Sequence, residues 1–541
     1  MLEKWQATAI RSLIENGHKL ILVVTGTRAG GRQNGYGSAR VSRDQLLWSF
    51  CTRYFFRPPQ KQKVDMRKEM ESARHLDCLP IQMDSAECFS DEDVAMIRSE
   101  ELDFILQFGF DTIGGEILNA AKYGVWSFLY GNEQLCSSGP AGFMEIYSNI
   151  PVSTVILQRL TEVTGKGIIL RKAVTNTLLH SFQANLDVLL WVSASLPYFL
   201  ANEISLQGFH FPPPVGISGT DCKMPGNVKV ILFLLKLLRN RMNFYWHDLF
   251  RAEKWNIGII NHSIQELALN RYEIKPENIL WMRERGSHHY YADPSGFMEE
   301  NKVHILMEDY SFRENKAHIS EAVFDPARKS FSIPLISIET KEHLSYPFIF
   351  THGENIYCLP SSFRYNHIGL YKRNYSEGAF MADRVLIDKI DAIDPTLISF
   401  NDRWWLFFTL RQYSNTHLYV YSSDELYGGY KPHPKNPVKI DIRSSRPAGL
   451  PFIHQGQLFR PAKDCSGTYG RRIAINKVTA LSEQDYQEEV VSYFGPLKNS
   501  RYTKGVHTIF GLGKYTLVDA KRYKFDLHHF GRNTGKKFQK R

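Results

Sequence analysis

From Asp293 onward the chain alternates short apolar runs with polar turns, in a unit that returns five times. The copies are ADPSGFMEENKVHILMEDY, SYPFIFTHGENIYCLPSS, DPTLISFNDRWWLFFTL, RPAGLPFIHQGQLFRPAK and HTIFGLGKYTLVDAK. In each, two apolar runs flank a polar turn such as Glu299-Glu300-Asn301 or His454-Gln455-Gly456, the pattern of a β-hairpin. The lead residues Asp293, Tyr346, Asp394, Arg446 and His507 stand 48 to 61 positions apart. A period of this length, built from β-branched and aromatic runs, predicts an all-β propeller of five blades. The first run of each hairpin would be the inner strand, and its lead residue would face the central channel. Asp293, Asp394, Arg446 and His507 would then converge. Proline after a lead residue also has a plainer use, marking a strand start where it costs no ladder bond. That use does not require opposite charges at equivalent places. Residues 254–259 read as the strand that closes the propeller with its last blade.

Ahead of the repeat the periodicity changes. Residues 3–16 put Trp5, Ile10, Leu13 and Ile14 on one helical face, and residues 20–24 follow as a buried strand. The glycines between Gly26 and Gly37 match neither a phosphate loop nor a dinucleotide fingerprint and read as a loop. Ser90-Asp91-Glu92-Asp93 is a capping box. Strands at 104–106, 125–128, 155–157 and 168–170, with a helix over 116–122, predict an α/β doubly wound, mostly parallel sheet. A long apolar helix spans 176–204 and a stiff proline-rich linker 211–216. The helix at 228–250 suits docking of the two domains or resting on a membrane surface. The expected division is an α/β domain at 1–205, a linker and connecting helix at 206–253, the propeller at 254–520 and a basic tail at 521–541.

Composition narrows the function. At 541 residues, 43% hydrophobic and 23% charged, the chain is globular and long enough for two domains. Its net charge of +10 is scattered except at 53–68 and in the tail, so a specific nucleic-acid module is not expected. The seven cysteines form no metal-like spacing and fit a reducing compartment. No metal site is expected. The first twenty residues are amphipathic and unlike a signal peptide, and Lys229 and Lys236 interrupt the longest apolar run. These features suggest a cytoplasmic protein, at most peripheral to the inner membrane.

Two resemblances follow from particular residues. LDFILQFGFDTIGGEILNAAKYGVWSF and GPAGFMEIYSNIPVSTVILQRLTEVTGKGIIL, within residues 5–175, resemble the amino-terminal domain of formyltransferases that use 10-formyltetrahydrofolate. That resemblance implies a Rossmann-like fold lacking its usual first strand. It also aligns Ser127, Leu129 and Gly165 with the family's reactive asparagine, histidine and aspartate. A leucine cannot carry a proton, so loss of formyl transfer is expected. Asn132, Glu133 or Glu145 would have to substitute in an active enzyme, which would use the folate donor. No other cofactor is expected.

The stretches HHYYADPSGF, HLSYPF, DPTL, SRPAG, LFRPAKDCSGTYG and VHT resemble the propeller domain of plant glucosamine inositolphosphorylceramide transferases. They also resemble that of bacterial proteins fused to a formyltransferase-like domain, and the wider group of five-bladed glycosidases. By that resemblance Asp293 matches a base and Asp394 a tuning aspartate. The acid glutamate is not evident, although Glu308 and Asp309 lie in blade one. Arg446, Arg460 and Lys463, with His507, suit a phosphate or uronate. The reading is a transferase-like protein of surface-glycan or glycolipid biosynthesis that holds a sugar, sugar-phosphate or nucleotide-sugar. The alternatives are an active formyltransferase on an amino-sugar nucleotide and a non-catalytic glycan-binding scaffold.

Overall fold

The computed structural model describes the chain except residues 27–41, 84–85, 111, 132–138, 163–165, 209–210, 212–214, 217–223, 270–273, 363–364 and 526–541. Most of the glycine-rich stretch, the prolines of the linker, Asn132, Glu133, Gly165 and most of the basic tail lie outside the described residues. The chain forms two compact units, Met1–Phe244 and Tyr245–Arg541. The division falls inside the helix Asn227–Phe250, well after the expected boundary at 205. The reason is packing: Val230 and Phe233 of this helix are fully buried among Trp48, Phe143 and Phe182. Most of the helix is thus core of the first unit, and its last turn and a half belongs to the second.

The first unit is α/β, but its sheet is mixed and not the mostly parallel one expected. Ile105–Leu106 and Val125–Tyr130 pair in parallel. Val152–Leu160 then pairs antiparallel with Val125–Tyr130, and Lys166–Asn176 antiparallel with Val152–Leu160. Only five residues join these last two strands, too few for the crossover a parallel pair needs. Leu22–Gly26 and Arg74–Cys78 form a separate parallel pair. Each of these two sheets ends on an edge, Leu22–Gly26 in one and Ile105–Leu106 in the other. Both edges line an open cleft of about 3090 Å3, together with the helix Lys4–Glu15. The predicted helix at 116–122 is a single 3-10 turn, Glu116–Asn119. Ser90 does cap the helix Asp91–Ser99, accepting from the Asp93 N–H at 3.1 Å.

Five sheets build the second unit. Blade one begins with His289–Glu299, blade two with Leu344–His352, blade three with Ala392–Phe400 and blade four with Phe452–His454. Each of these strands pairs antiparallel with the next in sequence, as the hairpin pattern predicts. Blade five joins both ends of the unit: Ile509–Leu512 and Tyr515–Phe525 pair in sequence, and Arg251–Ile260 adds to Tyr515–Phe525. The ladder between these last two strands runs from Arg251 opposite Phe525 to Ile260 opposite Thr516. Inner strands also join through the backbone, since Leu450 N–H donates to Ile509 O and Ile509 N–H to Ala448 O.

The closing strand corrects the expected tail. Residues 521–525 are its last rungs, and Lys521 is fully buried with its ammonium on Glu253 Oε1 at 2.6 Å and on the Tyr469 carbonyl. A chain ended after residue 520 loses five ladder positions and leaves Glu253 without its cation. It is expected to be less stable than a chain ended after 525 by about 3 kcal/mol, measured by denaturant unfolding of the two lengths.

Candidate active site at the propeller hub

The leading residues of three blades share one backbone device. Asp293, Tyr346 and Asp394 have φ of 50°, 47° and 53°, each precedes a proline, and each lies where the strand register shifts. A left-handed non-glycine residue costs on the order of 1–2 kcal/mol, so the same bulge recurs only because neighbouring structure enforces it. The bulge leaves the lead residue out of the ladder and re-aims its side chain. Polar atoms of neighbouring blades hold these backbones. Asp519 of blade five accepts the Asp293 N–H at 2.8 Å, and Ser361 of blade two accepts the Asp394 N–H at 3.4 Å.

The lead side chains meet around one cation. Lys463 Nζ lies 3.2 Å from Asp293 Oδ1 and 2.8 Å from Asp394 Oδ2, and stands 5.0 Å over the Tyr346 ring. Arg446 grips Asp394 with two bonds, Nε to Oδ2 at 2.6 Å and Nη2 to Oδ1 at 3.2 Å, while Nη1 donates to Asn415. Thr508 Oγ1 donates to Asp293 Oδ1 at 2.6 Å. His507 Nε2 is 3.8 Å from that same oxygen, and its ring stacks on Trp255 with centroids 3.9 Å apart. Asp519 Oδ1 accepts the N–H groups of both His507 and Thr508. Asp293, His507 and Asp519 each bring a ligand atom within 4.8 Å of the others, a spacing a cation could use. In the described structure their oxygens accept from N–H, O–H and the Lys463 ammonium.

Protonation separates two carboxyls here. Burial pushes Asp293 up, but Lys463, His507 and Thr508 outweigh it and hold its carboxyl well below the usual range. Glu308, on the second strand of blade one, is pushed well above the usual range by burial and by the neighbouring Asp293 charge. Tyr290 donates to Glu308 Oε1 at 3.2 Å, and His343 Nε2 is 3.9 Å from the same oxygen. Burial would lower Lys463, yet Asp293 and Asp394 keep it firmly cationic. Two buried carboxyls whose acidities are pushed in opposite directions are what general acid and base chemistry requires.

Other expected site residues stand apart. Asp309 alternates to the opposite strand face from Glu308 and bonds Arg285, His289 and Ser320. Arg460 is spent on Glu488 and on the Ser444 and Ser445 carbonyls, inside blade four and away from the ring. The Arg446 fork is likewise taken by Asp394 and Asn415. The anion clamp expected from Arg446, Arg460 and Lys463 is therefore already filled by the protein's own carboxylates. In the first unit, Ser127 and Leu129 do line the open cleft. Glu145 does not; it is buried, and burial pushes its carboxyl up.

Thr508, Asp519, Tyr290, His343 and Asn415 were missed from the sequence. A signal for part of this set exists. Each blade's second strand opens on a mostly apolar run that leads to a buried polar residue: Glu308, Ser361, Thr409, Lys463 and Asp519. A polar residue in so apolar a strand must have a partner; the partners of Glu308, Ser361, Lys463 and Asp519 lie at the hub, and Thr409 donates to the Ser414 carbonyl of its own blade.

Fold and hub together define the second unit as a five-bladed β-propeller with a buried, charged centre. The family profile described as Glucosamine inositolphosphorylceramide transferase 1, N-terminal, matches residues 282–525. Glucosamine inositolphosphorylceramide transferase 1 of Oryza sativa subsp. japonica is 30% identical over 209 residues, 38% of this chain and 28% of the relative. The protein of that name from Arabidopsis thaliana is 27% identical over 210 residues, 38% and 27% of the two chains. The matched region thus spans little more than a quarter of these relatives. Among solved structures, the catalytic domain of Coprinopsis cinerea GH62 alpha-L-arabinofuranosidase matches with TM-score 0.32 and 13% identity over 44% of this chain and 92% of that one. The GH43_1 enzyme from Xanthomonas citri complexed with xylose matches with TM-score 0.33 and 14% identity, over 48% and 92%.

The Glu308 carboxyl gives a pH test. From the ordinary glutamate value of 4.5 upward, an unfolded chain loses this proton while the folded chain keeps it, so Glu308 makes stability fall as pH rises. Glu308→Gln removes that term. The melting temperature of the variant, relative to the parent, is expected to climb between about pH 5 and pH 8. A flat difference would mean that Glu308 ionises normally.

Proposed function

We propose that the propeller hub holds a sugar of glycolipid or surface-glycan biosynthesis and transfers or cleaves at its glycosidic bond. The observation that carries this reading is the pair of buried hub carboxyls, Asp293 held by Lys463 and Thr508 and Glu308 held by Tyr290, whose surroundings push their acidities in opposite directions. Glu308 would give its proton to the oxygen of the leaving group. Asp293 would take the proton of the attacking hydroxyl, and the resulting reversal of the two protonation states would be undone by proton exchange with solvent before the next turnover. Asp394 and Lys463 would set the charge around Asp293. The similarity of residues 282–525 to transferases named for glucosamine and an inositolphosphorylceramide supports a sugar-bearing substrate. Because the hub cations are paired internally, a neutral or amino sugar suits it better than a phosphate or nucleotide sugar.

The test separates acid catalysis from binding. The full chain is assayed against methyl and p-nitrophenyl glycosides of glucosamine, with binding followed by calorimetry. A methoxide leaving group needs a proton and a nitrophenolate hardly does. Glu308→Gln is expected to slow the methyl glycoside about a hundredfold or more, to slow the nitrophenyl glycoside far less, and to leave binding intact. Asp293→Asn is expected to slow both. Absence of sugar binding by the parent, or equal losses on both substrates in Glu308→Gln, would overturn the assignment.

A second reading concerns the first unit, whose cleft we infer to be that of a formyltransferase-like domain without its reactive groups. Its support is the placing of Ser127 and Leu129 on the cleft wall, where a proton carrier and an oxyanion donor would be needed. The purified chain is expected to transfer no formyl group from 10-formyltetrahydrofolate to amino sugars. Donor-dependent product in a mass-spectrometric assay would restore the active reading.

A further inference from the structure

The helix Asn227–Phe250 carries two apolar stripes where one would serve a soluble core. Val230, Phe233, Leu234 and Leu237 face the aromatic cluster of the first unit. Val228, Ile231, Leu232, Leu235, Leu238 and Met242 follow helical spacing on the other side and are 49–73% exposed. From Val228 to Met242 the stripe is about 21 Å long. Isolated apolar surface residues are ordinary, but a continuous stripe of this length marks a contact surface.

Charge selects the occupant. Arg239 and Arg241 are exposed along the stripe, whereas Lys229 and Lys236 turn back to the Tyr147 ring and carbonyl, and no acidic residue occurs in the helix before Asp248. The helix Leu46–Tyr54 adds to the same chemistry, with Leu46, Phe50, Tyr54 and Phe55 exposed beside Arg53 and Arg57. Its start is tied to the longer helix, because Asn227 accepts from the Leu47 N–H and donates to the Arg43 carbonyl. A second copy docking through this face about a two-fold axis would oppose basic side chains to basic side chains. A bilayer with anionic headgroups satisfies both features at once, burying the stripe at the acyl boundary and meeting the exposed arginines at the headgroups. The helix cannot span the bilayer, since its other stripe is protein core.

We propose that this face rests on an anionic membrane surface, with the Asn227–Phe250 helix lying in the plane of the interface. The test is sedimentation of the full chain with phosphatidylcholine vesicles, with and without phosphatidylglycerol. The parent is expected to sediment with the anionic vesicles and to be released by salt. Leu235→Glu changes an exposed position and leaves the core intact; it should weaken this partition about tenfold or more. Retention of the parent in the supernatant with anionic vesicles would overturn the proposal. So would unchanged partition of Leu235→Glu. A parent dimer that Leu235→Glu dissociates, without any vesicle binding, would assign the face to a second copy instead.

Discussion

A single buried ammonium holds the hub together. Lys463 comes from blade four, yet its Nζ is shared between Asp293 of blade one and Asp394 of blade three. All three groups are removed from water, which is costly for each ion alone and tolerable only while every charge keeps its partner. The strained backbones at Asp293 and Asp394 present their carboxylates to this one cation. Strain, burial and charge thus depend on one another, and blades that are not neighbours in the ring are tied through its centre.

The same pairing decides what chemistry the hub can do. Lys463 and Arg446 are committed to Asp293 and Asp394, and the pull of Lys463 on the Glu308 proton is outweighed by burial and by the Asp293 charge. The negative Asp293 beside it raises the cost of a second charge. Two carboxyls of similar intrinsic acidity are therefore pushed apart by position alone, one below and one above the usual range. The pairing also removes the most obvious reason to expect an anionic ligand there, because each guanidinium fork already has a carboxylate or carbonyl in it.

In the first unit the organising constraint is different. Its aromatic core, from Trp48 through Phe143 to Phe233, recruits a helix whose apolar residues exceed what that core can cover. The surplus is left facing outward, and it is basic where it meets solvent. Packing satisfied on one side and apolar surface left on the other are two consequences of one composition.

Much of the architecture was legible before any coordinates. Period-two apolar runs around polar turns specify hairpins locally, so the five-unit repeat and the closing strand at 254–259 follow from the sequence alone. The convergence of Asp293, Asp394, Arg446 and His507 was legible in outline, since equivalent places in a closed ring must share a centre; that Lys463, on a second strand, is the cation two of them share was not. Which partner each charge takes was not. Arg446 and Arg460 look alike in sequence, but one reaches Asp394 at the hub and the other Glu488 within its blade, a choice made by side-chain direction after folding. The raised pKa of Glu308 depends on burial and on an Asp293 charge fifteen residues away, and neither is a local property. In the first unit, strand order is likewise a long-range outcome: apolar runs announce strands, but only the length of connections and the available edges decide parallel from antiparallel.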